Sequence, residues 1–376
     1  MQPMRQAASK SLFIPFLFVC WYDTKVYNRV MHYRVSVYNY FWRRFREHGW
    51  DFVVLSNELQ QQNRNTCQFE YIEQPFDFFT YRADIQRLRP DVVILFLHLK
   101  DRILWPLIHW LKLSGIPVAL WTKTRNLDDP DNRFRNALFD YLHLISDGLI
   151  LYTSSLTRFI SKRHDGKTFF ANNTINFDDF PYIPESKDEI KRNLCLPFQK
   201  IVLFVGRIGE ERNRKKVDHL IDMFRGLDRP DIGLVIVGSG LSDEHRARMN
   251  PANTRYLGEV HDADNLEISR IFKMADVCSI PGHVGLGLNQ AFFWGLPMVT
   301  EQGNQPPEIE YLRDGENGFM VPEDDLPALR DRLLFLLDND QERSRMSANA
   351  RRDILAHASI EGMFGGFLSC VQHLSR

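Results

Sequence analysis

The sequence is poor in the features that mark disulfide-rich or zinc-binding proteins. Its 376 residues include five cysteines, an odd number, and no two of them form a CxxC pair. Their positions are Cys20, Cys67, Cys195, Cys278 and Cys370. Such scattered cysteines argue against both a disulfide framework and a zinc site, and they favour a reducing cytoplasm.

Charge of either sign is not in excess. The formal net charge is −1, from 47 Lys and Arg against 48 Asp and Glu. Residues 1–180 carry 23 basic and 18 acidic residues, a balance of +5, and residues 181–376 carry 24 and 30, a balance of −6. Neither half has the basic clustering that neutralises many phosphates, so nucleic acid is not expected as a partner.

The start of the chain lacks a hydrophobic run long enough to span a bilayer. The apolar run LFIPFLFVCW follows Arg5 and Lys10, which resembles the beginning of a signal peptide. No small-residue cleavage site follows, and the run passes directly into the polar segment YDTKVYNR. We therefore predict a buried first strand, with a targeting signal as the alternative.

Short apolar runs alternate with helical patterns along the whole chain, which is typical of an α/β fold with parallel sheets covered by helices. The length exceeds what one core usually serves, so two domains are expected. The predicted boundaries are an N-terminal, acceptor-side Rossmann-like domain at 1–178, a linker at 179–198, a donor-binding domain at 199–355, and a C-terminal helix at 356–376 that crosses back to the N-terminal domain.

The second half carries a family resemblance. Its segments resemble, in order and spacing, the donor-binding domain of the retaining family 4 glycosyltransferases of the GT-B fold, the glycosyl transferases group 1. The matching segments are IVLFVGRIGEERNRKKVDHLIDMF, IGLVIVGSG, TRYLGEV and ADVCSIPGHVGLGLNQAFFWGLPMVTEQGNQPPEIEYLRDGENGFMVPEDD. The resemblance implies two Rossmann-like domains whose sheets face a cleft, and a nucleotide-sugar donor held by residues 199–355.

A diphosphate requires cations together with N–H donors. Arg207 follows the strand IVLFVG directly and Lys215 precedes the next helix, so both are expected at the carboxyl edge of the sheet. The resemblance implies that they contact the donor diphosphate, with Arg214 competing for the role of Lys215. The alternative is a solvated charged loop, which is the role expected of Arg212.

Glycines at 282, 285 and 287 immediately precede a predicted helix, an arrangement that lets main chain approach an anion closely. The family has two glutamates separated by seven residues, and this chain has Gly282 and Gln290 at those positions. Gln290 is expected to bond ribose hydroxyls. His283 is the nearest substitute for the side chain missing at 282. The resemblance also implies donor contacts from Gly206, Gly258, Val284, Gly285 and Leu286.

Three further candidates each have a structural alternative. Glu308 follows a proline in a first helical turn, where capping is at least as good an explanation as ligand contact. His98 ends the run DVVILFLHL, and the resemblance implies that a histidine near this point touches the donor sugar; a satisfied core histidine explains it equally well. Lys123 and Arg125 follow IPVALW and could meet the acceptor or phosphates.

These patterns predict a hexosyl- or glycosyltransferase that moves a sugar from a nucleoside diphosphate to a glycan or lipid-linked glycan, with retention implied by the resemblance. No metal site and no other cofactor are expected. A catalytically silent sugar-nucleotide-binding subunit and a GT-B sugar epimerase are the alternatives. Basic, aromatic helices such as YFWRRFR leave peripheral membrane contact open, although a core-facing helix explains the same pattern.

Overall fold

The computed structural model describes residues 10–15, 29–59, 66–127, 129–208, 214–260 and 264–376. Cys20, most of the polar segment that follows the first strand, and Arg212 lie outside these residues. The chain divides into two compact units. Unit 1 comprises Met1–Asn176 with Ile360–Arg376, and unit 2 comprises Phe177–Ser359.

Unit 1 is a parallel sheet covered by helices. Its strands are β1 Lys10–Pro15, β2 Arg29–Val30, β3 Trp50–Ser56, β4 Glu58–Leu59, β5 Glu70–Glu73, β6 Val92–Phe96, β7 Val118–Thr122, β8 Gly148–Leu151 and β9 Thr168–Phe170. Its first helices are α1 His32–Glu47, α2 Phe78–Leu88, α3 Leu104–Leu113 and α4 Arg133–Ile145. The strand order is β5-β3-β1-β6-β7-β8-β9, and β2 pairs separately with β4.

The strands of this sheet read as continuous apolar runs because helices cover both faces. Every residue of β6 and β7 is buried. The basic, aromatic helix α1 turns Phe41 and Phe45 into the core, where both are fully buried. The aromatic residues of YFWRRFR that are buried here therefore serve core packing.

Unit 2 repeats the architecture. Its strands are β10 Lys200–Val205, β11 Ile232–Val237, β12 Thr254–Gly258, β13 Val277–Ser279, β14 Met298–Glu301 and β15 Gly318–Val321. Its helices are α5 Lys187–Asn193, α6 Val217–Arg225, α7 Asp243–Arg248, α8 Leu266–Met274, α9 Leu286–Phe293, α10 Leu326–Asp338 and α11 Asp340–His357. The all-parallel order β12-β11-β10-β13-β14-β15 puts a topological switch point between β10 and β13, where such sheets bind ligands.

The segment predicted as a linker at 179–198 is instead folded into unit 2. Ser186 and Glu189 form a complete capping box at the start of α5, and Ile190 of that helix is buried. Arg270 on α8 donates to Glu185 at 2.9 Å through Nε. The prolines and charges of this segment suggested a linker, whereas its capping box starts α5 and its isoleucines, Ile183 and Ile190, are both buried.

The C-terminal helix, α12 Ile360–Leu374, belongs to unit 1. Its Phe364 ring lies 4.9 Å from that of Phe45, and its Phe367 ring lies 5.3 Å from that of Trp121. Among the described residues, the stretch Asp340–Leu374 is long and apolar enough to cross a membrane, but half of its most apolar window is buried in the fold. Core packing of α12 explains that apolarity without a bilayer.

Close approach of α12 to β9 depends on Gly366. A Cβ at this position would overlap the carbonyl oxygen of Phe170 and lie 2.9 Å from Cα of Ala171, both main-chain atoms that side-chain movement cannot clear. Gly365, one residue earlier, has open space around it. The two neighbouring glycines therefore differ in packing while sharing the same helix.

We predict that Gly366→Ala lowers the free energy of unfolding of unit 1 by about 1–3 kcal/mol because of overpacking. The matched change Gly365→Ala should be neutral or stabilising by up to about 1 kcal/mol, since alanine favours helices. Urea unfolding followed by tryptophan fluorescence reports mainly on unit 1, which holds six of the seven tryptophans. Equal effects of the two substitutions would contradict the packing argument.

Candidate functional site

The site in unit 2 lies where β10 and β13 end. Lys215 lies in the loop between β10 and α6, and its side chain runs across Gly206, where a Cβ would be 2.5 Å from Lys215 Cδ. The Lys215 ammonium donates to the carbonyl oxygens of His283 at 3.0 Å and Val284 at 3.4 Å. These carbonyl contacts hold the ammonium beside residues 283 and 284. Lys215 is thereby brought beside the glycine-rich loop, as an anion site at the switch point requires.

The glycine-rich loop ends at the N-terminus of α9. Gly285 caps this helix with φ 56° and ψ −151°, a conformation that requires glycine. The first N–H groups of a helix have no partner within it and attract anions. Leu286 and Gln290 lie one turn apart on the same side of α9, and the Gln290 side chain is partly exposed. A helix N-terminus and an ammonium thus converge on one place.

Gln305, which was not selected from the sequence, holds this loop from the segment that follows β14. Its amide nitrogen donates to the carbonyl oxygens of Gly282 and Glu301, both at 2.9 Å. Its amide oxygen accepts from the N–H of Val284 at 3.2 Å. Val284 was predicted to contact the donor, but its N–H is already engaged by Gln305. The Val284 N–H could bind a ligand only after its hydrogen bond to Gln305 breaks.

The neighbouring Lys216 has a different role. It adopts a left-handed conformation with φ 50°, and its ammonium bonds Glu301 at 3.0 Å, Glu323 at 3.0 Å and Asp324 at 2.6 Å. Although burial lowers the pKa of Lys216, the hydrogen bonds that it donates to the three carboxylates raise that pKa above its ordinary value. Glu301 is fully buried and also bonds Nδ1 of His219 at 2.6 Å. This cluster fixes the turn that carries both lysines.

A metal ion is a poor occupant of that cluster. His219, Glu301 and Asp324 form a group in the described residues whose ligand atoms lie within 4.8 Å of one another. The Lys216 ammonium bonds both Glu301 and Asp324, so a cation already neutralises these carboxylates. The geometry favours an internal ion-pair cluster.

The other site residues predicted for unit 2 lie at the same sheet edge or in segments packed beside it. Arg207 is exposed directly after Gly206, and the next residue, Ile208, bonds the carbonyl of Ser239 at 2.8 Å. Gly258 ends β12 with φ 80°, and its carbonyl accepts from Gly238 at 2.8 Å. Glu308 is 3% exposed within the short 3-10 helix Pro307–Tyr311. Its burial fits the structural alternative better than direct contact with a ligand.

His98 lies in unit 1, two residues beyond the end of β6. Its Nδ1 is 3.8 Å from Oδ1 of Asp101, a carboxyl group that is fully buried and has no hydrogen-bond partner among the described residues. Burial raises the pKa of Asp101 to about 8. Burial, and then the charges of Lys100 and Lys123, lower the pKa of His98 to about 4. At neutral pH the pair is a carboxylic acid beside a neutral imidazole, which can donate to or accept from a hydroxyl group.

The region that contains Lys215 and Lys216 is similar to a known protein family. Residues 186–353 match the family model of the glycosyl transferases group 1. The fold is GT-B, and the matched residues lie within unit 2. The solved structure of Anabaena Alr3699/HepE in complex with UDP shares this fold, with a TM-score of 0.71, 13% identity, and coverage of 97% of this chain and 100% of that one.

Two curated relatives are similar to this chain over parts of their lengths. The phosphatidyl-myo-inositol mannosyltransferase of Mycobacterium leprae is 36% identical over 157 residues, which are 40% of this chain and 40% of the relative. The lipopolysaccharide core biosynthesis mannosyltransferase LpsB of Rhizobium meliloti is 25% identical over 276 residues, 65% of this chain and 76% of the relative. The chain thus matches less than half the length of the mycobacterial relative.

The buried pair in unit 1 predicts a pH dependence of stability. Asp101 keeps its proton in the folded protein up to about pH 8, whereas an unfolded aspartate loses it near its ordinary value of 3.8. The unfolded state therefore binds fewer protons between these values, and stability falls as pH rises, by at most about 1.4 kcal/mol per unit. His98, whose pKa is lowered from 6.5, acts in the opposite sense only below pH 6.5.

Asp101→Asn should therefore become progressively more stable than the wild type as the pH rises from 6.5 to 8. Urea unfolding of unit 1 at pH 5.5, 6.5, 7.5 and 8.5 measures this difference. Asp91→Asn is the matched control, because Asp91 is exposed at the opposite end of β6. Parallel stability curves for Asp101→Asn and the wild type would show that the buried carboxyl does not hold its proton.

Proposed function

We propose that this protein is a glycosyltransferase that moves a sugar from a nucleoside diphosphate to a glycan or lipid-linked glycan, with retention of configuration. The observation that carries the proposal is the convergence of the Lys215 ammonium on the N-terminus of α9. That convergence occurs at the switch point of a domain matched by the group 1 family. The two features supply the charge and the N–H donors that a diphosphate needs.

The proposed reaction forms one bond and breaks one. The acceptor hydroxyl oxygen bonds the anomeric carbon of the sugar while the bond from that carbon to the phosphate oxygen breaks. The hydroxyl proton passes to the departing diphosphate, on the same face of the sugar. Lys215 and Arg207 stabilise the negative charge that accumulates on the diphosphate, which is where such groups lower a barrier most. This scheme assigns no step to a metal ion.

Binding of the nucleoside is assigned to α9, and that of the sugar to His283 and His98. Gln290, one turn after Leu286, is assigned to bond the ribose through its side-chain amide. His283 borders the loop that receives Lys215 and is partly exposed. A neutral His98 suits contact with sugar hydroxyls, since its lowered pKa leaves both a donor and an acceptor nitrogen at pH 7.

The acceptor is assigned to unit 1. Lys123 and Arg125 follow β7 at the carboxyl edge of that sheet, and the Lys123 ammonium lies 5.5 Å from the centre of the Tyr152 ring. The name of the mycobacterial relative describes a lipid acceptor with a phosphate group, and cations at this edge fit an anionic acceptor. The proposal also places the protein in the cytoplasm, where it acts at the inner face of a membrane.

A second candidate is a sugar-nucleotide-binding subunit that does not transfer. The observation favouring it is Gly282, which offers no side chain where the related family has a carboxylate facing the donor sugar. The missing carboxylate at position 282 is also compatible with a third candidate, a nucleotide-sugar epimerase. Binding without turnover separates the subunit from both enzymes, and product analysis separates transfer from epimerisation.

The proposal predicts selective stabilisation by one nucleoside diphosphate. UDP, GDP, ADP and TDP, and the common sugars of each, should be screened by thermal shift in EDTA, followed by assays of donor hydrolysis with the best ligand. One base should raise the melting temperature, and turnover should persist without divalent ions. No binding by any of the four would rule out a nucleotide-sugar donor site; activity that requires Mn²⁺ would overturn the metal-free scheme.

Arg207→Ala should reduce turnover on the order of 10²-fold, because it removes a preorganised cation that acts mainly on the leaving diphosphate. Arg225→Ala is the control, since Arg225 is an exposed arginine at the last position of α6. Steady-state kinetics on both folded variants measures the contrast. Near-normal turnover in Arg207→Ala would make Arg207 an ordinary surface cation.

A further inference from the structure

The loop that carries Lys215 is joined to the glycine-rich loop by main-chain hydrogen bonds. The N–H of His283 donates to the carbonyl of Arg214 at 2.7 Å, and the N–H of Gly282 donates to the carbonyl of Lys215 at 3.2 Å. Two consecutive residues of each loop are thus paired. These two hydrogen bonds therefore join the loops that follow β10 and β13.

The pairing leaves no space for a side chain at position 282. A Cβ on Gly282 would overlap the carbonyl oxygen of Arg214, and it would lie 2.9 Å from the carbonyl carbon of Arg214 and 3.1 Å from that of Lys215. These are main-chain atoms, and the Arg214 oxygen is itself held by His283. A side chain at 282 therefore has to separate the two loops.

Lys215 is fixed by its neighbours on three sides. Its stem lies over Gly206, its ammonium meets the carbonyls of His283 and Val284, and its own carbonyl accepts from Gly282. On the far side, Lys216 is anchored to the buried Glu301. Separating the loops at Gly282 would move the Lys215 ammonium away from the N-terminus of α9.

We propose that Gly282 is a positioning residue: by lacking a side chain it lets Arg214 and Lys215 pair with the glycine-rich loop, which places the Lys215 ammonium to bind the diphosphate of a nucleotide. The diphosphate role rests on the proposed function. A glutamate at this position, which the family resemblance leads one to expect, is incompatible with this loop. Its absence is a packing requirement, and restoring it should damage the site.

The first test measures how much the second phosphate adds to affinity. Titration calorimetry compares UDP, GDP, ADP and TDP with their monophosphates for the wild type, Gly282→Ala, Lys215→Met and the double variant. Both single substitutions should weaken binding of the preferred diphosphate about 10-fold or more relative to its monophosphate, because each removes a charge-assisted contact with phosphate. The double variant should lose little more than either single one, since both act through the same ammonium. Gly226→Ala, at a glycine with open space around it, should bind like the wild type.

The second test needs no nucleotide. Hydrogen exchange should show protected amides at Gly282 and His283 in the wild type and in Lys215→Met, and lost protection at both in Gly282→Ala. Unchanged protection and unchanged diphosphate preference in Gly282→Ala would overturn the proposal. So would additive losses in the double variant. If Gly282→Ala does not fold, Lys215→Met still decides: intact protection with an unchanged diphosphate preference refutes the role of the ammonium.

The two tests distinguish the inference from the function on which it rests. If no nucleotide binds the wild type, the proposed function fails, while loss of amide protection in Gly282→Ala still shows that the glycine joins the loops. If the wild type binds a diphosphate and Gly282→Ala binds it equally well, the function stands and the inference fails.

Discussion

The site depends on the topological switch point between β10 and β13. Both strands run in the same direction, so their carboxyl ends meet at one edge of the sheet, and the chain leaves them toward different helices, α6 and α9. Among the described residues, the stem of Lys215 lies over Gly206, and the main chain of Arg214 and Lys215 lies against Gly282. Glycines at 206 and 282 make that close approach possible.

The adjacent residues Lys215 and Lys216 have different hydrogen-bond partners. Lys216 lies among three carboxylates, one of them fully buried, and its charge is consumed in holding the turn. Lys215 donates to carbonyl groups of the glycine-rich loop, and these neutral dipoles orient its ammonium. A buried ion pair fixes geometry at little net gain in stability. Here the geometry it fixes is that of the turn at Lys216, directly after Lys215.

Unit 1 handles charge in another way. Asp101 is buried without a hydrogen-bond partner among the described residues, and it avoids the cost of a buried charge by keeping its proton. The neighbouring His98 avoids the same cost by giving up its proton and staying neutral. The pair therefore stays neutral over the physiological range, which suits recognition of hydroxyl groups better than recognition of ions.

The sequence by itself determined the α/β class and the approximate strands, because runs such as DVVILFLHL and IVLFVG are apolar enough to be central parallel strands whatever surrounds them. The GT-B fold was predicted from the family resemblance of the second half. It also selected Arg207, Lys215 and the loop at 282–290, whose roles in binding stay predictions. Only the tertiary structure showed that residues 179–198 are largely folded onto unit 2, that Gln305 engages the N–H of Val284, and that Asp101 lies beside His98. Each of these depends on groups distant in sequence meeting in space, which local pattern does not record. Gly282 is the sharpest case: in the sequence it is a missing glutamate, and in the fold it is the one residue type that lets the two loops join.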